Sequence, residues 1–248
     1  LAVLNPWGGD PDQPFPDGPG QPGEGAHPPV NYHAYAACTR GGFYRNPGAV
    51  REKTVLLLLR RDLKTALKVL RALKAEGRHV LVSLKESGSH QVAALLDDAR
   101  RLVLFRQICA EADGALSSTP DLLPLYRGAG CREARFLPTP YPVDAPPWDF
   151  SRPLAERRGL FLGTREFQVP SRNHLAALLA VRDFGVPVTV VNPDGRRGRR
   201  KLEALGFPEN RLRIVEGRLP YPDYLRLVSG HRIVFQMDRS AVPGQVAG

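Results

Sequence analysis

The chain holds 248 residues, 42% of them hydrophobic and 24% charged, with a formal net charge of +10. This is enough for one large or two medium globular domains and excludes a low-complexity or fibrous chain. No apolar run approaches bilayer-spanning length, the run 55–59 being far too short, and no signal-peptide pattern opens the chain.

Residues 1–4 read as a first strand. Residues 6–29 are dense in Pro, Gly and Asp and have almost no core-forming side chain, so a long mobile loop is expected, suited to act as a lid or acceptor loop. Two motif matches inside it fail on context. Gly18-Pro19-Gly20-Gln21-Pro22-Gly23 fits G-x-G-x-x-G without a strand to feed it, and Asp10-Pro11-Asp12 resembles a metal-binding pair in an unsupported segment. Residues 31–38 suggest a short helix, 54–59 a buried strand, and Asp62 the cap of a helix ended by Gly77. Residues 79–84 form the next strand. A helix through Leu95 and Leu96, another over 101–112, a strand over 115–117, a helix over 121–126 and a strand over 135–137 complete the first part. Residues 138–153 are a Pro-rich linker, which divides the chain into domains of residues 1–150 and 151–248.

Residues 160–162 are an apolar run ending in Gly163. Ser171 caps a helix over 173–184 with Gly185 at its end, and β-branched 186–191 lead into the turn Asn192-Pro193-Asp194-Gly195. Helices over 201–205 and 221–228 alternate with strands over 212–215 and 232–236. Alternating strands and helices predict an α/β, doubly wound architecture. The last strand wants one further helix to cover its face, so the second domain is expected to be incomplete. Cys38, Cys109 and Cys131 are odd in number and lack metal-ligand spacing, which suits a reducing compartment.

The charge is uneven. Residues 151–248 carry 17 Lys and Arg against 9 Asp and Glu, net +8, while residues 1–150 carry 18 against 16, net +2. An anionic ligand of the second domain is the simplest reading; the plain alternative is solubility or an arginine-rich bias. Ligands of doubly wound units bind beyond the carboxyl ends of the strands. The first such end carries Gly163, Thr164, Arg165 and, past a short loop, Arg172; two guanidiniums beside a helix start suit a diphosphate. Gly217, Asp238 and Ser240 follow later strands; His90 and Glu86 follow the strand 79–84, beside Lys85. Asn31, His33 and Tyr35 make a weaker claim. Each also has an ordinary reading as a cap, a turn or a solvated surface residue. The run Arg196-Arg197-Gly198-Arg199-Arg200-Lys201 would suit polyanions or lipid headgroups, but no interleaved aromatics accompany it, which disfavours nucleic acid.

Three stretches resemble the GT-B glycosyltransferases, in particular the large retaining group-1 family. Ala112-Asp113-Gly114-Ala115-Leu116-Ser117-Ser118-Thr119 is similar to the element closing that family's first domain. Arg135-Phe136-Leu137-Pro138-Thr139-Pro140 with Val143-Asp144 resembles its exit to the linker, and residues 160–172 resemble its strand-G-R-x-x-x-x-K. The resemblance implies two Rossmann-like domains facing a cleft and transfer of a sugar from a nucleotide-sugar donor to a glycan, lipid or small-molecule acceptor. It further implies retention, no metal and no cofactor; the cysteine usage suits a cytoplasmic protein, and the basic run keeps open a peripheral membrane contact. His90 and Glu86 become catalytic candidates, and Gly163, Thr164, Arg165, Arg172, Gly217, Asp238 and Ser240 donor-binding candidates. The chain departs from the family in having Gly163-Thr164-Arg165 for Gly-Arg and Arg172 for Lys. If Gly244 aligns with the family's glycine, Ala241 stands at the first of two expected glutamates. That departure keeps open a non-catalytic binding protein on the same scaffold, whether for nucleotide sugar or for nucleic acid.

Overall fold

The computed structural model describes residues 1–6, 18–19, 32–86, 88–141, 143–144, 148–163, 167 and 173–237. The chain forms two compact units that part between residues 142 and 143.

In the first unit, β1 (Ala2–Leu4), β3 (Gly42–Tyr44), β4 (Thr54–Leu59), β5 (His79–Leu84), β6 (Gly114–Ser117) and β7 (Ala134–Phe136) are parallel. The two-residue β2 (Gly18–Pro19) pairs antiparallel with Gly42 and Phe43, giving the order β2-β3-β1-β4-β5-β6-β7. Period-two alternation on β4 sorts its side chains. Val55, Leu57 and Leu59 join one core with Leu63, Leu67, Leu70 and Leu73 of α2 (Leu63–Ala75) and Phe105 and Ile108 of α4 (Ala99–Glu111). Leu56 and Leu58 face the other core, with Tyr32, Tyr35 and Ala36 of α1 (Tyr32–Cys38). With both faces covered, β4 is apolar at every residue after Thr54. Asp62 caps α2 by accepting from the Thr65 amide at 3.0 Å, and Asp98 caps α4 from the Arg100 amide at 2.7 Å.

The end of β5 is held by two tyrosines. β6 pairs only with Leu81 and Val82, so the Leu84 amide is left beyond the ladder; it donates to the Tyr126 hydroxyl at 2.6 Å. Tyr126 lies on α5 (Leu123–Gly128), fully buried. Tyr32 donates its hydroxyl proton to the Leu84 carbonyl at 2.7 Å and accepts from Ser83 at 2.8 Å.

The second unit has the parallel order β10-β9-β8-β11, with β8 (Leu160–Leu162), β9 (Val188–Asn192), β10 (Leu212–Glu216) and β11 (Ile233–Phe235). From β8 the chain winds outward one way through β9 to β10, then returns to place β11 on the other flank. The order therefore reverses between β8 and β11. Leu160, Leu162, Val188 and Val190 pack under α6 (His174–Val181) and α7 (Gly195–Glu203). On the other face Phe161 meets Tyr224 of α8 (Tyr221–Ser229) edge-on at 5.7 Å.

Several sequence expectations need correction. α6 starts at His174 behind Asn173, which is left-handed (φ 50°) and makes no capping bond, and it stops at Val181, so Gly185 is not its end. Ser171 lies outside the described residues, as does most of 6–29. α7 begins at Gly195 rather than at Lys201, so the arginine run is helix. The strand β3 was not anticipated, because Gly41-Gly42 reads as a turn and only three residues follow the pattern.

Candidate functional site

In the second unit, the reversal of strand order puts the carboxyl end of β8 where doubly wound sheets open to ligands. Gly163 stands there, buried, directly after Leu162. Four residues on, Phe167 donates its amide to Asp194 Oδ2 at 2.9 Å and meets His174 edge-on at 6.2 Å. The returning chain is pinned by Asn173, whose side-chain amide donates to the Met237 carbonyl at 2.9 Å. Thr164, Arg165, Arg172, Asp238 and Ser240 lie outside the described residues.

The carboxyl ends of β9 and β10 are joined by Asn192, which is fully buried. Its Nδ2 donates to the Gly195 carbonyl at 2.9 Å and to Glu216 Oε2 at 2.6 Å, while Oδ1 accepts from the Asp194 amide at 3.2 Å. Arg199 pairs with the same Glu216. One member of the basic run is therefore tied to the sheet and less available to an external polyanion. Gly217 follows with φ +80° and donates its amide to the Asn192 carbonyl at 2.9 Å. A methyl group there would meet nothing within 4 Å, so the left-handed backbone alone demands glycine. Gly163 and Gly217 end strands two places apart, about 9–10 Å along the edge.

In the first unit, the order reverses at β1, which has β3 on one side and β4 on the other. Asn5 follows β1, buried, and its Oδ1 has no hydrogen-bond partner; the same holds for Thr119 Oγ1 beyond β6. Buried polar oxygens are normally satisfied, which makes both candidates for ligand or water contact. Sequence reasoning passed over both. The available signal was a polar residue placed directly after an apolar strand run. At the end of β5, Glu86 stands between two cations, Lys85 Nζ at 3.4 Å and Arg60 Nε at 3.8 Å. The Lys85 side chain is largely buried and the Glu86 side chain is 42% exposed. His90 is exposed in the first turn of α3 (Ser89–Leu96), after the uncapped Gly88. Thus Glu86 is drawn into a charge cluster with Lys85 and Arg60. His33 and Tyr35 face the interior instead, and Tyr35 donates to the Leu137 carbonyl at 2.6 Å.

No protein-family profile and no curated protein matches the sequence. Among solved structures, HepE from Anabaena in complex with UDP superposes with a TM-score of 0.51 at 15% identity, over 78% of this chain and 56% of that one. This chain has a GT-B glycosyltransferase-like fold. Sucrose-phosphate synthase from Thermosynechococcus elongatus matches with a TM-score of 0.49 at 16% identity, over 81% of this chain and 54% of its own. Trehalose 6-phosphate synthase from Burkholderia multivorans gives 0.46 at 12% identity, over 78% and 52%. The chain thus spans about half the length of each of these proteins. Among the described residues, no helix is long and apolar enough to cross a membrane.

Proposed function

We propose that the chain is the scaffold of a glycosyltransferase that takes its sugar from a nucleotide-sugar donor, held at the carboxyl edge of the second unit. The observation that carries this reading is Gly163 at the reversal of strand order in a GT-B-like sheet. The UDP bound to HepE supports a nucleoside diphosphate as the ligand class. Backbone at Gly163 and Gly217 approaches the nucleotide, and Arg165 and Arg172 hold its diphosphate, with Thr164, Asp238 and Ser240 beside them. As the sugar leaves, negative charge grows on the diphosphate, and fixed guanidiniums stabilise that charge more in the transition state than in the ground state. By the sequence resemblance the transfer proceeds with retention and without metal or cofactor, the guanidiniums taking the part a cation would otherwise play. Glu86 and His90 serve the acceptor side, whether the acceptor is a glycan, a lipid or a small molecule, in a cytoplasmic protein that touches membranes peripherally.

Calorimetry with UDP and a panel of nucleotide sugars tests the reading. Arg165→Ala or Arg172→Ala should weaken UDP binding by roughly ten- to a hundredfold, since charge-assisted hydrogen bonds are worth about 1.5–3 kcal/mol. Arg172→Lys should recover part of the loss, because the charge survives and the planar fork does not. Removing Arg196, Arg197 and Arg200 together should change binding only a fewfold, an effect that fades with salt. Wild-type affinity in both single variants would sink the assignment. Donor binding without turnover would instead favour the non-catalytic reading that Ala241 keeps open.

A further inference from the structure

At the opposite, amino edge of the second sheet lies a cavity of about 390 Å³. Its walls are the loop before β8, the first residues of β9 and β10, and the last turn of α8. Arg152, Arg158, Arg213 and Arg226 line it together with Thr189 and His231, and no carboxylate does. Some arginines elsewhere in the chain find acids, as Arg71 with Glu111, Arg78 with Glu76, Arg182 with Asp183 and Arg199 with Glu216, and others lie singly on the surface; what sets the cavity apart is that four converge on one concavity. Of these only Arg226 finds an acid, Asp223 at 2.6 Å; among the described residues no carboxylate lies within ion-pair distance of Arg152, Arg158 or Arg213.

The polar wall is already ordered. His231 Nδ1 donates to the Leu227 carbonyl at 2.8 Å, so its Nε2 accepts from the Thr189 hydroxyl at 2.8 Å. The Arg152 guanidinium lies over Gly230; a methyl group there would come within 2.6 Å of Nη1. Arginines at the last turn of a helix also complement its dipole, which accounts for Arg152 and Arg226. Arg158, which precedes β8, donates from one nitrogen to the Ala155 and Arg157 carbonyls, which leaves the rest of its fork to the cavity, and Arg213 sits on β10 with no such helix end to serve. Like charges gathered around one concavity repel until an anion enters, and guanidinium forks match phosphate oxygens.

We propose that this cavity binds a small soluble phosphate ester or diphosphate, at a site separate from the donor edge at Gly163. The cavity exceeds a bare phosphate in size and falls within the range of small-molecule pockets, so an organic body accompanies the charge.

Inorganic pyrophosphate at low salt is the probe. Added to the whole chain, it should shift the ring signals of His231 in proton NMR, with His231→Gln used for assignment. Calorimetry on Arg158→Ala/Arg213→Ala should show this binding event weakened at least tenfold. The Arg165→Ala/Arg172→Ala chain should retain it, which separates the site from the proposed donor edge. If the alanine pair unfolds, Arg158→Lys/Arg213→Lys replaces it and should bind with an intermediate loss. Unmoved His231 signals, or affinity untouched in the Arg158/Arg213 variants, would overturn the proposal. So would sedimentation with phosphatidylserine–phosphatidylcholine vesicles through these arginines without pyrophosphate binding, since that marks a lipid surface instead.

Discussion

Single side chains set the pH limits of this protein. Tyr126 and Tyr32 are buried, and burial raises both phenols above their usual 10.0. Their neutral forms belong to the fold, so their contribution is whole below about pH 10 and drops as pH rises beyond it. On the acid side, His231 is lowered from 6.5, first by burial and then by the Arg213 and Arg152 charges, against the hydrogen bond to Leu227. Its contribution is whole above about pH 6.5 and falls as pH drops from there through the folded-state value. Denaturant unfolding across pH should show both flanks, and His231→Gln should flatten the part of the acid flank just below pH 6.5. Tyr126→Phe keeps the ring but strands the buried Leu84 amide, which should cost about 1–3 kcal/mol in the same assay. Thiols give a simpler check. Burial pushes Cys109 up to about 12 and raises Cys131 as well, whereas Cys38 is exposed. Maleimide should therefore label Cys38 in the native chain and the other two only after unfolding.

Elements with strong periodicity were legible from sequence, and those governed by distant partners were not. The strand over 54–59 and the helix ended by Gly77 follow from unbroken apolar runs and from Asp62. The start of α7 was misread because arginines at a helix N-terminus oppose its dipole; the compensation, Glu216 on another strand, is invisible locally. Gly163 and Gly217 were legible as glycines after strands, and they do follow β8 and β10; their proposed donor role rests on other grounds. Asn5 and Thr119, whose side-chain oxygens lack hydrogen-bond partners, became candidates only once the sheet order was known. Gly198 shows how packing overrides propensity. Alanine there would favour the helix by about 1 kcal/mol. Its methyl group, however, would fall on Asn192 Oδ1, and displacing Asn192 breaks its bonds to Gly195, Asp194 and Glu216. Each broken buried bond costs about 1–3 kcal/mol, so Gly198→Ala should lower the melting temperature rather than raise it.

At the level of the molecule, the two units have separate cores, one pair around β4 and the other around β8 and β9. Scanning calorimetry should resolve two transitions. If UDP binds as proposed, a hundredfold excess over its Kd should stabilise the second unit's transition by about 2.7 kcal/mol and leave the first nearly fixed. A single transition that moves as a whole would contradict this.

The outer flank of β11 has further importance. Among the described residues no strand pairs with it there, and Ile233 and Val234 are 48% and 40% exposed. An apolar, unpaired backbone edge is a template for strands of neighbouring molecules. Light scattering on heating should therefore rise steeply with concentration, and Ile233→Lys should suppress that rise, because a charged edge discourages intermolecular β-pairing.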